Sequence, residues 1–328
     1  MTFIVKKTLK LSAIIGAALL LVSCSAKAPE RSTEYAVQGL YSAALSRDGA
    51  AAVIGSIQHG GSYWTTRLDK RRFNWNHASG EFTSLTSVDI DPTGAFSATG
   101  SARTLVLWNT NNGQSAGFWN TPGDIKSLKL TQNGDYALVG LDDQTARYFD
   151  IKNGGIKQTF RTGAIVRSVA VSDDGRLGLT GDDKRQVILW DTQTGAKRFT
   201  WTLSNRIATV ALSADGKYAF GAAQLGNAKV WSTLTGKEVA TLSTGKLDKR
   251  QNTISKAVFS SDNRQLLVGG INRRVSLRDI NTGKTLQKWD LYLKDRFRPT
   301  GSSVLALAYG KNGRYYAIGS NGYLNVLE

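Results

Sequence analysis

Residues capable of acid–base, nucleophilic or metal chemistry are scarce in this chain. Its 328 residues include two histidines, His59 and His77, and a single cysteine, Cys24. No grouping of histidine, cysteine and carboxylate has the spacing of a metal site, and the Gly-x-Ser-x-Gly elbow of many hydrolases does not occur in the sequence. These observations predict a protein without catalytic activity, metal or dissociable cofactor.

Two other patterns resemble chemical motifs but recur with the repeat described below. Thr282–Thr285 reads Thr-Gly-Lys-Thr, yet Arg278 stands where a phosphate-binding loop needs its first glycine, and Thr-Gly-Lys occurs again at 235–237. The acidic pairs Asp142-Asp143 and Asp182-Asp183 likewise lie one repeat apart. Such recurrence favours turn residues over a phosphate site or a general acid–base pair.

Aromatic residues form the main regularity of the chain. The first aromatic column consists of Trp64, Trp108, Phe149, Trp190 and Trp231. Its last four members follow one another at intervals of 41 residues. A second aromatic column lies 11 residues C-terminal to the first. After Trp231 the interval lengthens to 47 and the column ends in Arg278. Repetition at about 40 residues is typical of a propeller or a solenoid, so the aromatic column is expected in the core.

Turn residues divide each repeat into four short strands. Asp-Gly and Asn-Gly pairs recur roughly 15 residues before the first column, and glycine suits such hairpins because it accepts a positive φ. Between the turns, segments such as Ile207–Ser213 alternate in side-chain character, which indicates antiparallel strands. Seven units of this kind predict an all-β fold, a seven-bladed β-propeller of four-stranded antiparallel blades.

The seventh unit lacks its fourth strand. It begins at Ser303 and stops at Glu328, where its third strand ends. The segment Glu34–Val37, ahead of the first full unit, stands where an outer strand would be. We therefore expect the N-terminal strand to complete the last blade and close the ring, which would remove the open edges of its sheet.

The fourth unit resembles a Trp-Asp (WD) repeat. Leu189-Trp190-Asp191-Thr192 follows Ser172–Gly175 at the spacing of that family, and degenerate versions occur in the other units. The resemblance covers residues 33–328 and implies a WD-repeat propeller that serves as a platform for partners. The family's Gly-His dipeptide is missing: Gly163 keeps the glycine alone, and His77 is displaced by an insertion. Aromatic packing is therefore expected to replace the family's hydrogen-bonded network between His and Trp.

The first 23 residues read as a secretory signal peptide. Lys6, Lys7 and Lys10 precede an apolar run at 11–23, which is shorter than the ~20 residues needed to span a bilayer. The run ends in Leu21-Val22-Ser23-Cys24, which resembles a bacterial lipobox.

The lipobox resemblance implies cleavage before Cys24 and attachment of acyl chains such as palmitate to its thiol. Residues 24–32 are then a lipidated tether and 33–328 the propeller. Ser25 stands where the family places Asp in proteins retained at the inner membrane. In a Gram-negative host this implies an outer-membrane lipoprotein of the cell envelope that faces the periplasm.

The net charge of +17 limits the possible partners. Three of these charges belong to the lysines of residues 1–23, so +14 remains on the rest of the chain. Such an excess favours an anionic partner. Export argues against nucleic acid and leaves anionic lipid, lipopolysaccharide, cell-wall polymer or an acidic envelope protein. The alternative is that the basic residues lie on solvated strand faces and serve solubility.

Basic residues gather in the longest connections, which flank blade six. The d–a connections and b–c turns share one face of a propeller, and long loops on a rigid scaffold are often functional. We therefore predict a partner-binding rim at 245–252, 294–301 and the b–c turn between them; solvated loops without a partner are an equally weighted alternative. The residues of this rim are Lys246, Lys249, Arg250, Arg273, Arg274, Lys294, Arg296, Phe297 and Arg298.

Three functions remain open from the sequence. The leading prediction is a membrane-anchored, non-catalytic scaffold for protein–protein interaction. The first alternative is a propeller enzyme or small-ligand sensor with its site at the channel mouth, because the fold alone excludes neither. The second is a polyanion binder, whose affinity would fall steeply with salt.

Overall fold

The computed structural model describes residues 26–242, 253–295 and 301–328. Within these ranges the chain forms seven four-stranded antiparallel sheets and one short 3-10 turn at Gln132–Gly134. The innermost strand of each sheet contacts the innermost strand of the next sheet. The seventh sheet contacts the first in the same way, so the sheets form a closed ring. The predicted all-β, seven-bladed propeller is confirmed. No helix in the described ranges is long and apolar enough to cross a membrane.

Each of blades one to three is a meander of four consecutive strands, which we call a, b, c and d from the channel outwards. Blade one comprises β2 (Leu40–Leu45), β3 (Ala51–Ser56), β4 (Gly60–Thr65) and β5 (Lys70–Trp75). Blade two comprises β6 (Ser87–Ile90), β7 (Phe96–Ser101), β8 (Thr104–Asn109) and β9 (Ser115–Asn120). Blade three comprises β10 (Ile125–Leu130), β11 (Tyr136–Leu141), β12 (Thr145–Asp150) and β13 (Ile156–Arg161).

Blades four to six repeat this arrangement. Blade four comprises β14 (Val166–Val171), β15 (Leu177–Asp182), β16 (Gln186–Asp191) and β17 (Lys197–Thr202). Blade five comprises β18 (Ile207–Leu212), β19 (Tyr218–Ala223), β20 (Ala228–Ser232) and β21 (Glu238–Leu242). Blade six comprises β22 (Ile254–Phe259), β23 (Gln265–Gly270), β24 (Arg274–Asp279) and β25 (Thr285–Asp290).

Blade seven joins the two ends of the described chain. Its strands are β26 (Val304–Tyr309), β27 (Tyr315–Gly319), β28 (Tyr323–Leu327) and, as strand d, β1 (Arg31–Glu34). The N-terminal strand therefore closes the ring as predicted, with Arg31 opposite Val326 and Glu34 opposite Tyr323.

The closing strand begins three residues earlier than the predicted Glu34–Val37. Strand β1 has the polar sequence Arg-Ser-Thr-Glu, as suits an outer strand that buries little surface. The prediction was shifted toward the C-terminus because the more apolar residues follow the strand. Tyr35 instead follows the strand and stacks on the Trp64 ring at 4.2 Å.

The aromatic columns pack between neighbouring blades. Strand d of one blade presents an aromatic ring to strand c of the next: Trp75 stacks on Trp108 at 5.2 Å, and Trp201 stacks on Trp231 at 4.7 Å. Such pairs combine a large buried area with favourable ring geometry. Of the predicted core residues, Trp108, Phe149, Trp190 and Trp231 are buried, whereas Trp64 is half-buried.

Candidate functional site

The alternating connections of the blades give the ring two faces. We call the face formed by b–c turns and d–a connections the b–c face, and the face formed by a–b and c–d turns the a–b face. Strand β1 begins at the a–b face, because Glu30 forms an ion pair with Arg314, the residue that ends the a–b turn of blade seven. Ahead of it, Lys27 pairs with Trp289 in strand d of blade six. At the other end of β1, Glu34 pairs with Lys294 in the d–a connection after blade six.

Exposed apolar side chains concentrate on the b–c face. Among the described residues, eleven large hydrophobic side chains are exposed, and five of them lie on this face. These five are Val37, Phe82, Leu225, Ile271 and Tyr292, and Tyr41 lies near them at the start of strand a of blade one. The turns of the a–b face hold Leu68 and Leu234, and the outer strands hold the rest. An excess of exposed apolar side chains on one face favours that face as an interaction site.

Three residues of the predicted basic rim are described, and each has an intramolecular partner. The Arg273 guanidinium donates to the Leu291 carbonyl at 2.8 Å, which ties the b–c turn of blade six to the following connection. Arg274 pairs with Asp290 at 2.9 Å, and Lys294 pairs with Glu34 at 2.7 Å. Part of the expected positive charge is therefore neutralised within the molecule. Six other predicted rim residues lie outside the described residues: Lys246, Lys249, Arg250, Arg296, Phe297 and Arg298.

The structure adds basic residues of blades four and five that the sequence analysis did not select. Lys184 and Arg185 are exposed in the b–c turn of blade four. Arg206, in the next d–a connection, donates to the Gln224 side chain across the face. Arg185 and Arg273 occupy equivalent turn positions, both with positive φ (68° and 66°). An alignment of the b–c turns would have identified Lys184 and Arg185 from the sequence, whereas a search for long loops did not.

His77 corrects the expectation that the His-to-Trp network is lost. The Trp108 indole N–H donates to the Thr99 hydroxyl at 2.8 Å, and the Thr99 oxygen lies 2.8 Å from His77 Nε2. His77 Nδ1 lies 2.6 Å from the Thr104 hydroxyl, which itself donates to the Ser101 carbonyl. The insertion before blade two therefore does not displace His77. Its imidazole lies where it contacts Thr99, the residue that accepts from Trp108.

Blade four retains the Trp and Thr residues of such a network but lacks the histidine. Its Trp190 indole donates to the Thr180 hydroxyl at 2.9 Å, but Ala164 follows Gly163 where the family has histidine. The neighbouring Asp182 carboxylate is buried and accepts from the Gln186 backbone N–H, with its other oxygen unpartnered. Burial raises the pKa of Asp182.

The remaining residues considered for chemistry lie in ordinary turns. The sequence Thr282–Thr285 follows strand c of blade six in a c–d turn, where the Asp279 carboxylate accepts from the Thr282 N–H at 2.8 Å. The acidic pairs occupy b–c turns, and Asp183 pairs with Arg167. No cluster of His, Cys, Asp and Glu suited to a metal exists among the described residues. Cys24 lies outside them.

The central channel contains a cavity of about 470 Å³, lined by strand a of all seven blades and by the a–b turns of all but blade three. The charged lining residues of strand a are Asp89, Lys129 and Lys256, and the a–b turns add Arg47, Asp48, Asp91 and Asp173. At the a–b mouth, Arg47 of blade one reaches across the ring to Asp173 of blade four, with two contacts of 2.7 and 2.6 Å. The channel therefore carries an ion pair across one of its mouths.

Comparison with known proteins agrees with this architecture. Residues 154–191 match the family model of the WD domain, G-beta repeat. This segment runs from the last turn of blade three through strand c of blade four. The match and the seven four-stranded blades together support a WD-repeat β-propeller, a fold that commonly serves as a protein-interaction scaffold. A search of the curated proteins gave no match.

Proposed function

We propose that this protein is a lipid-anchored envelope lipoprotein that acts as a non-catalytic scaffold and binds an acidic protein partner on its b–c face. The observation that carries the proposal is the concentration of exposed apolar side chains on that face, beside a basic patch. We call Lys184, Arg185 and Arg206, with the rim of blade six, the basic patch. Apolar anchors inside a charged border are typical of protein interfaces.

The segment ahead of β1 lies along the outer edge of the ring. Lys27 pairs with Trp289 in strand d of blade six, and Glu30 pairs with Arg314 in blade seven. A lipid on Cys24 would therefore attach the ring to the membrane from this outer edge. Two or more acyl chains anchor a protein stably, because each buried CH₂ contributes about 0.8 kcal/mol.

Site-specific photocrosslinking tests the choice of face. A photoreactive phenylalanine analogue replaces Leu225 or Ile271 on the b–c face, and Leu234 on the a–b face provides the control because it is also an exposed apolar turn residue. We expect a discrete crosslinked protein in whole envelopes from the first two positions. An equally strong product from position 234, or none from any position, would contradict the proposal.

Charge reversal tests the chemistry of the partner. Lys184→Glu with Arg185→Glu should weaken capture of the crosslinked partner about tenfold or more, since like charges at an interface are strongly unfavourable. Lys237→Glu with Lys284→Glu changes the same charge in c–d turns and should leave capture unchanged. If any polyanion of similar charge density competes equally well, with steep salt dependence, the polyanion alternative replaces the protein partner.

The anchor is tested separately. Cys24→Ser should move the protein from the membrane fraction to the soluble fraction and abolish incorporation of an alkyne-labelled palmitate. Retention of the label in this variant would exclude Cys24 as the attachment point. Because this assay does not depend on the partner, its failure leaves the choice of face standing.

A further inference from the structure

Equivalent positions of strand a show that Lys256 interrupts a structural pattern. At the strand-a position opposite the penultimate residue of strand b, blades one to five carry a small hydroxyl residue and blade seven carries alanine. The residues at this position are Ser42, Ser87, Ser127, Ser168, Thr209, Lys256 and Ala306. The break in the pattern therefore falls in blade six.

The hydroxyl residues at this position join neighbouring blades. Ser87 accepts the Leu128 N–H at 3.0 Å, and Ser168 accepts the Val210 N–H at 3.0 Å. An ammonium group has no acceptor lone pair, so Lys256 cannot play this role. The structural function of the position thus gives no reason for a lysine.

The charges in the channel leave one ammonium group without a partner. Asp89 forms an ion pair with Lys129 and also accepts the Leu130 N–H at 2.9 Å. Within the described ranges the Lys256 ammonium group has no hydrogen bond and no ion pair. It lies in the electrostatic field of Lys129 and Asp89. Burial, reinforced by the charge of Lys129, lowers the pKa of Lys256 to about 8. Around neutral pH the group is therefore mostly a cation, and no carboxylate of the described residues forms an ion pair with it.

We propose that the channel cavity binds a small organic monoanion of the carboxylate class, with the Lys256 ammonium group as its counter-ion. Among the strand-a residues of the lining, Asp89 balances Lys129, so one negative charge would balance Lys256. The carboxylates Asp48, Asp91 and Asp173 lie in the a–b turns at the mouth, together with Arg47. A single carboxylate fits this balance better than a doubly charged phosphate, because an extra buried charge is costly.

The size and lining of the cavity match such a ligand. Its volume of about 470 Å³ lies within the ordinary range of small-molecule pockets. Ala170, Ala211 and Val258 offer apolar surface for the body of the ligand beside the charged groups. The other titratable residues that line the cavity are Arg47, Asp48, Asp91, Asp173 and Tyr309.

The cavity reaches the a–b mouth, where the ligand meets the Arg47–Asp173 ion pair. Both side chains are partly exposed, at 50% and 26%. A partly exposed ion pair of this kind stabilises the fold by at most about 1 kcal/mol, so a ligand that enters here can separate the two side chains at little cost in free energy. The proposed site is therefore separate from the b–c face.

Calorimetric titration with acetate, benzoate and 2-naphthoate tests the proposal, with benzamide as the neutral counterpart of benzoate. At pH 7 at least one carboxylate should bind saturably, and benzamide should bind about tenfold more weakly than benzoate if benzoate is the one that fits. Raising the pH from 7 to 10 should abolish carboxylate binding, because the ammonium form is lost above its pKa of about 8.

Two substitutions give opposite expectations. Lys256→Met should weaken the binding carboxylate about tenfold or more, whereas Lys237→Met, in an exposed c–d turn, should not. Asp89→Asn keeps an acceptor for the Leu130 N–H and should tighten binding several-fold, since it removes a negative charge. Absence of saturable binding by all three carboxylates, or equal affinity in the Lys256→Met variant, overturns the proposal.

Discussion

At the scale of single residues, His77 shows how hydrogen bonds select one protonation state. Thr104 donates to the Ser101 carbonyl and so accepts from His77 Nδ1–H. His77 Nε2 is then free to accept from Thr99, whose oxygen accepts from the Trp108 indole. Only the neutral ring completes this chain of donors and acceptors. Burial acts in the same direction and lowers the pKa of His77 to about 4.

This arrangement predicts acid sensitivity. Between pH 6.5 and about 4 the unfolded histidine binds a proton that the folded one does not, so stability due to His77 is complete above pH 6.5 and falls as the pH drops through this window. His77→Gln should cost about 1–2 kcal/mol at pH 7 and flatten this part of the pH profile. Urea unfolding from pH 7 to 4 measures both effects. His59→Gln, at an exposed turn, is the control; an unchanged profile in His77→Gln would refute the assignment.

Trp190 is the other residue with a sharp expectation. It is 3% exposed, packs on Phe160 at 5.0 Å and donates to Thr180. Trp190→Ala should lower the free energy of unfolding by about 3–5 kcal/mol, as expected for a large buried aromatic residue. Trp119→Ala, at a half-buried ring of strand d, should cost clearly less in the same denaturation experiment. Equal costs would mean that Trp190 does not occupy the core.

At the scale of elements, the aromatic columns explain why the fold was predictable. At three of the blade contacts a ring of strand d packs on a ring of strand c in the next blade, so the aromatic residues recur at a nearly constant spacing. Strand β1 lacks this constraint, and its polar sequence concealed its true limits. The proposed interaction surface was predictable only in part, because ion pairs within the molecule neutralise Arg274 and Lys294. Lys256 becomes conspicuous only when strand a is aligned across all blades.

The closing strand provides a prediction at this scale. A chain that begins at residue 35 lacks β1 and leaves β28 with an unpaired edge, so it should unfold at lower temperature and associate as its concentration rises. A chain that begins at residue 26 retains β1 and is the matched control. Thermal unfolding and light scattering over a range of concentrations compare the two. A stable monomer without β1 would contradict its role in closure.

At the scale of the whole molecule, the ring is joined by contacts across the channel as well as between neighbours. Arg47 and Asp173 are 126 residues apart and belong to blades one and four. Their bidentate geometry connects two a–b turns that no sheet joins. The pair therefore limits relative movement of these blades at one mouth of the channel.

A double-mutant cycle measures this connection. Arg47→Ala, Asp173→Ala and the double variant should give a coupling free energy of about 0.2–1 kcal/mol, because the side chains are partly exposed and screened by salt. The coupling should shrink in 1 M NaCl, where the screening length is about 3 Å. Zero coupling at low salt would show that the pair does not hold the two blades in solution.

The closing strand also determines how the molecule responds to mechanical force. β1 is held by four register pairs to β28 and by Arg31, Thr33 and Tyr35 to Asp69 of blade one. Tension on the chain ahead of residue 26 meets the backbone bridge from Lys27 to Trp289 and then this seam, whereas the other six sheets are continuous meanders. A propeller pulled from its N-terminus therefore opens between blades seven and one, and this seam sets its rupture force.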